Sequence, residues 1–165
     1  MLIYGISRAV NAHAEFRMSV GEDGVPGMHD VVHPGYTVFH PQDETFSALW
    51  TQYDASFPVF YRRYLEDVAA YGSTPVPAPK PACPEGTFDI SCIPWSHFTS
   101  FNLNLKNGDR YLSPIFTMGK YEQSGGKVLL PLALQVHHAV CDGFHAARLL
   151  REVEEWAQAF VPQGV

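Results

Sequence analysis

The sequence has few cysteines, few basic residues and no long apolar run, and each shortage excludes a class of protein. Its three cysteines are an odd number without a CxxC spacing, which argues against both a disulfide framework and a zinc knuckle. The 11 Lys and Arg side chains are outnumbered by 17 Asp and Glu, and the resulting net charge of −6 repels nucleic acid. The longest strongly apolar stretch, residues 128–136, is too short to span a membrane and contains Pro131 and Gln135.

The length and the overall composition of the chain are typical of one globular domain. The chain has 165 residues, of which 46% are hydrophobic and 17% charged. We therefore predict a single domain over residues 1–165. The N-terminus lacks the basic segment and the cleavage pattern of a secretory signal. We expect a cytoplasmic protein whose cysteines are reduced and mostly buried.

Hydrophobic spacing predicts helices at both ends of the chain and in its middle. The predicted helical regions are residues 1–12, 43–71 and 142–160. The first has no capping residue before it, which indicates that the chain begins inside an element. The proline-rich segment 73–86 has no periodicity and is predicted to be a loop.

The rest of the pattern predicts short strands and tight turns. Strands are expected at residues 15–20 and 35–40, and hairpin turns at Asn107-Gly108 and Gly125-Gly126. The first turn would join residues 101–105 to 110–120. The second would lead into 127–138, and we expect this segment to be a central strand because both of its faces are apolar. The predicted fold class is α/β (α+β), with a mostly antiparallel mixed sheet flanked by helices.

Two histidines and an aspartate follow the last predicted strand. On strand parity, His138 shares the face of Leu134 and Val136, so we expect apolar surroundings that disfavour the imidazolium. A neutral imidazole can act as a general base. Asp142, at the start of a helix, would anchor the turn by capping.

Other interpretations of this motif remain open from the residues alone. A strand histidine is more often a hydrogen-bonded core residue than a catalyst. Adjacent His137 and His138 point to opposite faces, which disfavours a shared metal ion. Cys141 is a candidate nucleophile, although no base is assigned to it and a structural cysteine is the commoner state.

The octet HHAVCDGF at 137–144 resembles the HHxxxDG signature of the coenzyme A-dependent acyltransferase superfamily. Further stretches are similar, in order, to the chloramphenicol acetyltransferase family; they are NAHAEFRM at 11–18, HPGYTVFH at 33–40, ETFSALW at 44–50, PWSHFTSFNLN at 94–104, PIFTMGKY at 114–121 and LPLALQVHHAVCDGFH at 130–145. The resemblance covers nearly the whole chain. It implies a two-layer sandwich and a homotrimer whose active sites lie between subunits.

The resemblance also implies a reaction, namely transfer of an acetyl group from acetyl-coenzyme A to the 3-hydroxyl of chloramphenicol, without an acyl-enzyme and without a metal. It implies that His138 is the general base and that the Ser91 hydroxyl stabilises the oxyanion. Thr117 would support the transition state through water, and Asp142 would be structural. By composition alone, Ser91 and Thr117 are ordinary strand residues.

Binding residues are implied in the same way. Phe46, Phe101 and Leu103 match lining residues of the antibiotic pocket, whereas composition alone makes them core. Lys120 and Tyr121 match residues near coenzyme A, whereas composition alone makes them a solvated strand end.

One departure from the family pattern lies at the N-terminus. Family members begin upstream with a strand, a helix and a further strand, and that segment holds the arginine that pairs with the motif aspartate. We therefore expect an N-terminally truncated enzyme in which Asp142 lacks this partner. Two other functions stay open: a related xenobiotic O-acetyltransferase with another acceptor, and an inactive fragment or ligand-binding module.

Overall fold

In the described residues, a helix lies near each end of the chain and another separates two runs of strands. The computed structural model describes residues 1–106 and 110–160. Its helices are α1 (Leu2–Ala12), α2 (Phe57–Tyr71) and α3 (Gly143–Ala159), with a 3-10 turn at Ala14–Phe16. Its strands are β1 (Met18–Val20), β2 (Pro26–Met28), β3 (His33–His40), β4 (Thr45–Trp50), β5 (Thr87–Cys92), β6 (Ile115–Met118), β7 (Glu122–Ser124), β8 (Lys127–Leu129) and β9 (Leu132–Gln135).

Five strands form the main sheet, in the order β4-β3-β5-β6-β9. The inner strands β3, β5 and β6 are parallel, and the outer strands β4 and β9 are antiparallel to their neighbours. Two small antiparallel hairpins, β1-β2 and β7-β8, extend from it. The predicted mixed sheet is confirmed. Antiparallel pairs are the majority only when the two hairpins are counted, because the main sheet has two parallel pairs at its centre and two antiparallel pairs at its edges.

All the helices named above contribute to the core on one face of the sheet. Tyr36, Leu49, Ile90 and Phe116 lie in register on neighbouring strands, so their side chains share this face. They form one buried cluster with α1 and α3, and side chains of α2 pack against its margin. Burial of this apolar layer stabilises the fold, and the arrangement is a two-layer sandwich.

The opposite face of the sheet carries no helix in the described residues. Because side chains alternate along a strand, the register places Phe39, Phe46, Ser91, Thr117 and Gln135 on this open face. It is partly crossed by the irregular segment 93–106, where the main-chain N–H of Leu103 donates to Oε1 of Gln135 at 3.1 Å. Polar and aromatic groups thus share the surface that the helices leave free.

The terminal helices and one turn confirm their predictions. Helix α1 begins at Leu2 without a side-chain cap, whereas the carboxylate of Asp142 caps α3. Gly125 and Gly126 have φ values of +57° and +77° and join β7 to β8 in a hairpin. Glycine adopts this left-handed conformation without a Cβ clash, which is why the Gly-Gly pair signals the turn correctly.

The first half of the predicted helical region 43–71 is wrong, because residues 45–50 form strand β4. The spacing of Phe46, Leu49 and Trp50 fits a helix, yet Ser47 and Leu49 are buried while Phe46 is exposed, which is a strand alternation. Glu44, at φ +52°, reverses the chain and brings β4 back beside β3. Only the second half of the prediction, α2, is helical, because pairing with β3 overrides the local spacing.

The strand predictions on either side of β6 also need correction. Residues 101–105 form no strand, and the Asn107-Gly108 turn lies outside the described residues. The long strand expected at 127–138 divides at Pro131, whose missing N–H interrupts a ladder, into β8 and β9. Moreover, β9 is an edge strand of the main sheet and not a central one.

The proline-rich loop is confirmed, and it covers the outer edge of β4. The N–H of Ala48 donates to the carbonyl of Pro77 at 2.8 Å. Further along, Lys80 Nζ donates to the Trp50 carbonyl at 3.0 Å and forms an ion pair with Asp67 of α2 at 2.6 Å. These contacts close an edge that would otherwise present unpaired backbone groups.

We expect Leu149→Ala in α3 to lower the free energy of unfolding by about 3 kcal/mol, because this fully buried side chain leaves a cavity in the core. Leu65→Ala in α2 is the matched control, since that leucine is 46% exposed and its loss costs at most about 0.5 kcal/mol. Urea unfolding of both variants measures the difference, and equal losses would contradict the assigned core.

Candidate active site

The histidine motif lies in a turn between β9 and α3. The main-chain N–H groups of Val140 and Cys141 both donate to the carbonyl of His137 at 3.1 Å, and the N–H of Ala139 donates to Nδ1 of His137 at 3.1 Å. His138 is therefore in a turn and not in a strand, and its side chain is exposed. The apolar surroundings expected from strand parity are not present around His138 in a single chain, because β9 ends three residues earlier.

Asp142 holds the C-terminal side of this turn. Its Oδ1 accepts hydrogen bonds from the N–H groups of Phe144 at 3.0 Å and His145 at 3.3 Å. The His145 N–H bond is the main cause that holds the pKa of the Asp142 carboxyl below its usual range, and the nearby His145 ring contributes. Within residues 1–106 and 110–160, the basic side chain beside the Asp142 carboxylate is His145, whose Nδ1 lies 2.8 Å from Oδ1, and no arginine takes that place.

Cys141 lies inside the core immediately before Asp142. It belongs to the main buried cluster, and burial raises the pKa of its thiol, with the Glu15 and Asp142 carboxylates adding to the effect. A raised pKa keeps the thiol protonated near neutral pH and therefore poorly nucleophilic. The structure favours the structural interpretation of this cysteine. The other two cysteines, Cys83 and Cys92, are free but exposed, so the expectation that the cysteines are mostly buried is wrong.

Ser91 and Thr117 are brought together by the two inner strands. They are register partners in the parallel pair β5-β6, and their hydroxyl oxygens are 3.1 Å apart. Thr117 is 2% exposed, whereas Ser91 is half-buried with its side chain toward the open face. The Ser91 hydroxyl also lies 3.4 Å from the Phe116 carbonyl, a distance too long for a strong hydrogen bond. One hydroxyl can thus orient the other.

The predicted pocket residues lie on, or cross, the same open face. Phe46, on β4, is 65% exposed there. Phe101 and Leu103 belong to segment 93–106 and are half-buried, and the Phe101 ring lies 5.5 Å from that of Phe98. None of the three belongs to the buried core cluster, so the core interpretation taken from composition is wrong for them.

Two aromatic residues that the sequence did not single out as site residues complete this surface. Phe39 and Trp95 are both exposed, and their rings meet edge to face at 4.7 Å. Phe39 sits opposite Phe46 across the β3-β4 ladder. Strand parity is the signal that could have identified Phe39, because it places Phe39 on the face opposite to Tyr36 and His40 of β3.

Lys120 and Tyr121 follow β6 directly. Both side chains are exposed, and the main-chain N–H of Lys120 donates to the carbonyl of Ser96 at 2.8 Å. They lie at the C-terminal end of the strand that carries Thr117. An ammonium and an aromatic ring that project from this edge are free to meet phosphate and adenine groups.

His138 is separated from the hydroxyl pair within one chain. Ser91 and Thr117 align with Ala133 of β9, whereas β9 continues through Gln135, opposite Ile115, before the turn begins. At about 3.4 Å per residue, Gln135 is already two residues past the hydroxyls, and His138 is three residues further. One chain therefore presents His138 and the hydroxyl pair at different places.

One groove among the described residues lies apart from the predicted site residues. A groove of about 800 Å³ lies between β8, β9 and α3, with Leu2 of α1 at one side. Its lining includes Val128, Leu132, Leu150 and Ala157, and it contains no predicted site residue. The groove is therefore not the place where the predicted chemistry is assembled.

Metal and membrane features can be stated for the described residues. Within residues 1–106 and 110–160, no group of three or more His, Cys, Asp or Glu side chains is arranged to hold a metal ion. In the same part of the chain, no helix combines the length and apolar character that crossing a membrane would need.

The fold matches those of a solved chloramphenicol acetyltransferase and a solved dihydrolipoamide acetyltransferase. A solved chloramphenicol acetyltransferase superimposes with a TM-score of 0.83 at 22% identity, covering 94% of this chain and 75% of that one. The dihydrolipoamide acetyltransferase of Azotobacter vinelandii gives a TM-score of 0.69 at 20% identity, covering 96% and 67%. At these identities the likeness establishes the fold.

Sequence similarity identifies the family more specifically than the fold does. The chain is 50% identical over 159 residues to a chloramphenicol acetyltransferase of Clostridium perfringens, covering 96% of this chain and 73% of the relative. It is 51% identical over 154 residues to one of Escherichia coli, covering 93% and 69%. The family model for chloramphenicol acetyltransferase matches residues 1–154. The chain belongs to the chloramphenicol acetyltransferase family, as the sequence motifs indicated.

We expect Asp142→Asn to lower the urea midpoint of unfolding at neutral pH, and the deficit to disappear in acid. A carboxyl whose pKa is lower in the folded state contributes stability above its unfolded pKa of about 3.8, and loses it as pH falls through the folded value. Midpoints measured from pH 7 to pH 2.5 test this. A deficit that persists unchanged at the lowest pH would contradict the assigned role of the charge.

Proposed function

We propose that this protein transfers the acetyl group of acetyl-coenzyme A to the 3-hydroxyl of chloramphenicol and so confers resistance to the antibiotic. The observation that carries the proposal is the Ser91–Thr117 hydroxyl pair on the open face, in a chain of the chloramphenicol acetyltransferase family. A thioester reacts with an alcohol without help from a metal. Because acetyl-coenzyme A is an intracellular metabolite, we place the reaction in the cytoplasm.

His138 is the general base in this proposal. Its neutral imidazole takes the proton of the acceptor hydroxyl while the hydroxyl oxygen attacks the thioester carbonyl. Collapse of the tetrahedral intermediate breaks the carbon–sulfur bond, and the imidazolium returns its proton to the departing thiolate. The fixed turn around the His137 carbonyl and the Asp142 cap holds this histidine in one place. No covalent acyl-enzyme is formed.

Ser91 stabilises the oxyanion in this scheme, with Thr117 in support. When Thr117 donates its hydroxyl proton to the Ser91 oxygen, 3.1 Å away, the Ser91 proton is free to point at the developing negative charge. Thr117 is buried between strands, so its position is fixed before the substrate arrives. Thr117 can also reach the transition state through a bridging water.

A homotrimer with interfacial sites completes the active site. His138 is exposed at one end of the sheet, and the hydroxyl pair lies on the open face at another level, so one chain supplies two separate halves. A neighbouring copy that brings its His138 to this open face would join them. It would also cover Phe39, Phe46 and Trp95, which single chains rarely leave exposed together.

In this scheme, the two substrates bind on either side of the hydroxyl pair. Phe46, Phe101 and Leu103 give the open face an apolar lining that suits the nitrophenyl and dichloroacetyl groups of the antibiotic. Lys120 and Tyr121, at the end of β6, bind coenzyme A through charge and stacking.

We expect His138→Ala to reduce kcat about a thousandfold, because the hydroxyl then attacks without a base. Ser91→Ala should cost about a hundredfold through the loss of one oxyanion donor. Release of coenzyme A thiol from acetyl-coenzyme A and chloramphenicol measures both. His29→Ala, on the β1-β2 side of the molecule, is the matched control and should keep wild-type turnover.

The same assay distinguishes the alternatives. Turnover of another hydroxylated antibiotic, but not of chloramphenicol, would make the protein a related O-acetyltransferase. Binding of chloramphenicol without turnover, in both the wild type and His138→Ala, would make it a binding module and overturn the proposed reaction.

We expect two inactive variants to restore activity when they assemble together. If His138 of one copy works with Ser91 of another, co-expressed His138→Ala and Ser91→Ala chains rebuild about a quarter of the sites in random trimers. The measurement is thiol release by the co-expressed mixture, compared with the separately purified variants. Absence of any gain, in a mixture shown to be trimeric by ultracentrifugation, would mean that each chain completes its own site.

A further inference from the structure

Segment 93–106 has no regular secondary structure, yet it carries Phe101 and Leu103. Its start is tied to β6, where the N–H of Ile93 donates to the Met118 carbonyl at 2.7 Å. Its end is tied to β9 through the bond from the Leu103 N–H to Gln135. The contacts that hold the residues between these two hydrogen bonds determine the position of Phe101.

Phe98 lies in this stretch, and its ring packs directly on the backbone at Gly119. A Cβ placed on Gly119 would lie 2.8 Å from Cε1 and 3.0 Å from Cδ1 of Phe98, and 3.1 Å from Cγ of Pro131. Carbon atoms in contact are normally about 3.5–4.0 Å apart. The ring therefore occupies the space that a side chain at position 119 would take.

The backbone at Gly119 is held firmly against this ring. Its N–H donates to the Pro131 carbonyl at 2.9 Å, and the next N–H, that of Lys120, donates to Ser96 at 2.8 Å. Gly119 is outside the left-handed region, so an alanine is compatible with its backbone. Only the contact with Phe98 and Pro131 requires glycine, and a methyl group there would push the ring away.

A displaced Phe98 ring would move Phe101. The two rings are 5.5 Å apart at an interplanar angle of 38°, which is direct aromatic contact. Phe101 is only half-buried, so few other contacts resist the shift.

We propose that Phe98, whose ring packs against Gly119, is a positioning residue. It sets the position of Phe101 and thereby determines how well the acetyl acceptor fits its pocket. This inference rests on the proposed function, which assigns Phe101 to the acceptor pocket. Phe98 itself touches neither substrate in this assignment; it acts through Phe101.

A substitution at Gly119 can also act on the coenzyme A side of the site, because Gly119 directly precedes Lys120 and Tyr121. A methyl group at position 119 that disturbed these residues would weaken coenzyme A binding instead. The two substrates have separate KM values, so the two routes give different kinetic results.

The test is a double-mutant cycle on Gly119→Ala and Phe98→Leu, with KM measured for each substrate. We expect Gly119→Ala to raise KM for chloramphenicol about five- to tenfold while KM for acetyl-coenzyme A changes less than about twofold. In the Phe98→Leu background, where the smaller side chain makes room, Gly119→Ala should change KM for chloramphenicol by less than about twofold. Gly27→Ala is the control, since a Cβ there meets nothing within 4 Å.

Every outcome of these kinetic measurements either supports or overturns the inference. Effects of the two substitutions that simply multiply, or a rise confined to KM for acetyl-coenzyme A, would overturn it. Should Gly119→Ala fail to fold, Phe98→Leu alone decides, since it should raise KM for chloramphenicol about threefold and leave that for acetyl-coenzyme A unchanged. A wild-type protein without turnover would instead refute the proposed function, and this inference with it.

Discussion

The parallel register that pairs Ser91 with Thr117 constrains both faces of the sheet at once. The same register places Ile90 beside Phe116 on the opposite face, where the helices bury them. A slip of β6 by one residue against β5 would move Thr117 into the apolar layer and Phe116 onto the open face, away from Ser91. The free energy that favours core burial therefore also holds the two hydroxyls in contact, so the candidate oxyanion site is as rigid as the core beneath it.

The position of the helices supports the proposal that a second copy of the chain completes the active site. Helices on one face satisfy the apolar layer and leave the other face with exposed aromatic rings beside two hydroxyls. The turn that carries His138 is fixed by its own hydrogen bonds and by the start of α3, so it cannot swing to that face without breaking the cap. In the proposed trimer, a second copy brings its His138 to the hydroxyl pair, which the His138 of the same chain does not reach.

Differences between prediction and structure arise where two patterns fit the same residues. Phe46, Leu49 and Trp50 satisfy a helical spacing, and only the pairing with β3 makes them a strand. Phe101 and Leu103 alternate like strand residues, yet segment 93–106 is held by the packing of Phe98 on Gly119 and by the side chain of Gln135. Local patterns carry no information about such distant partners, whose contributions exceed the small intrinsic propensities.

Local sequence patterns were enough to identify the family, the mixed α/β class, the terminal helices and the Gly-Gly hairpin, because short motifs and periodicity depend on local chemistry. Tertiary structure alone decided which hydroxyls touch, which face stays open and how far His138 lies from both. These are properties of strand order and register, which depend on contacts between residues distant along the chain. The pairing of β5 with β6 joins Ser91 to a threonine 26 residues away, and no local pattern specifies that distance.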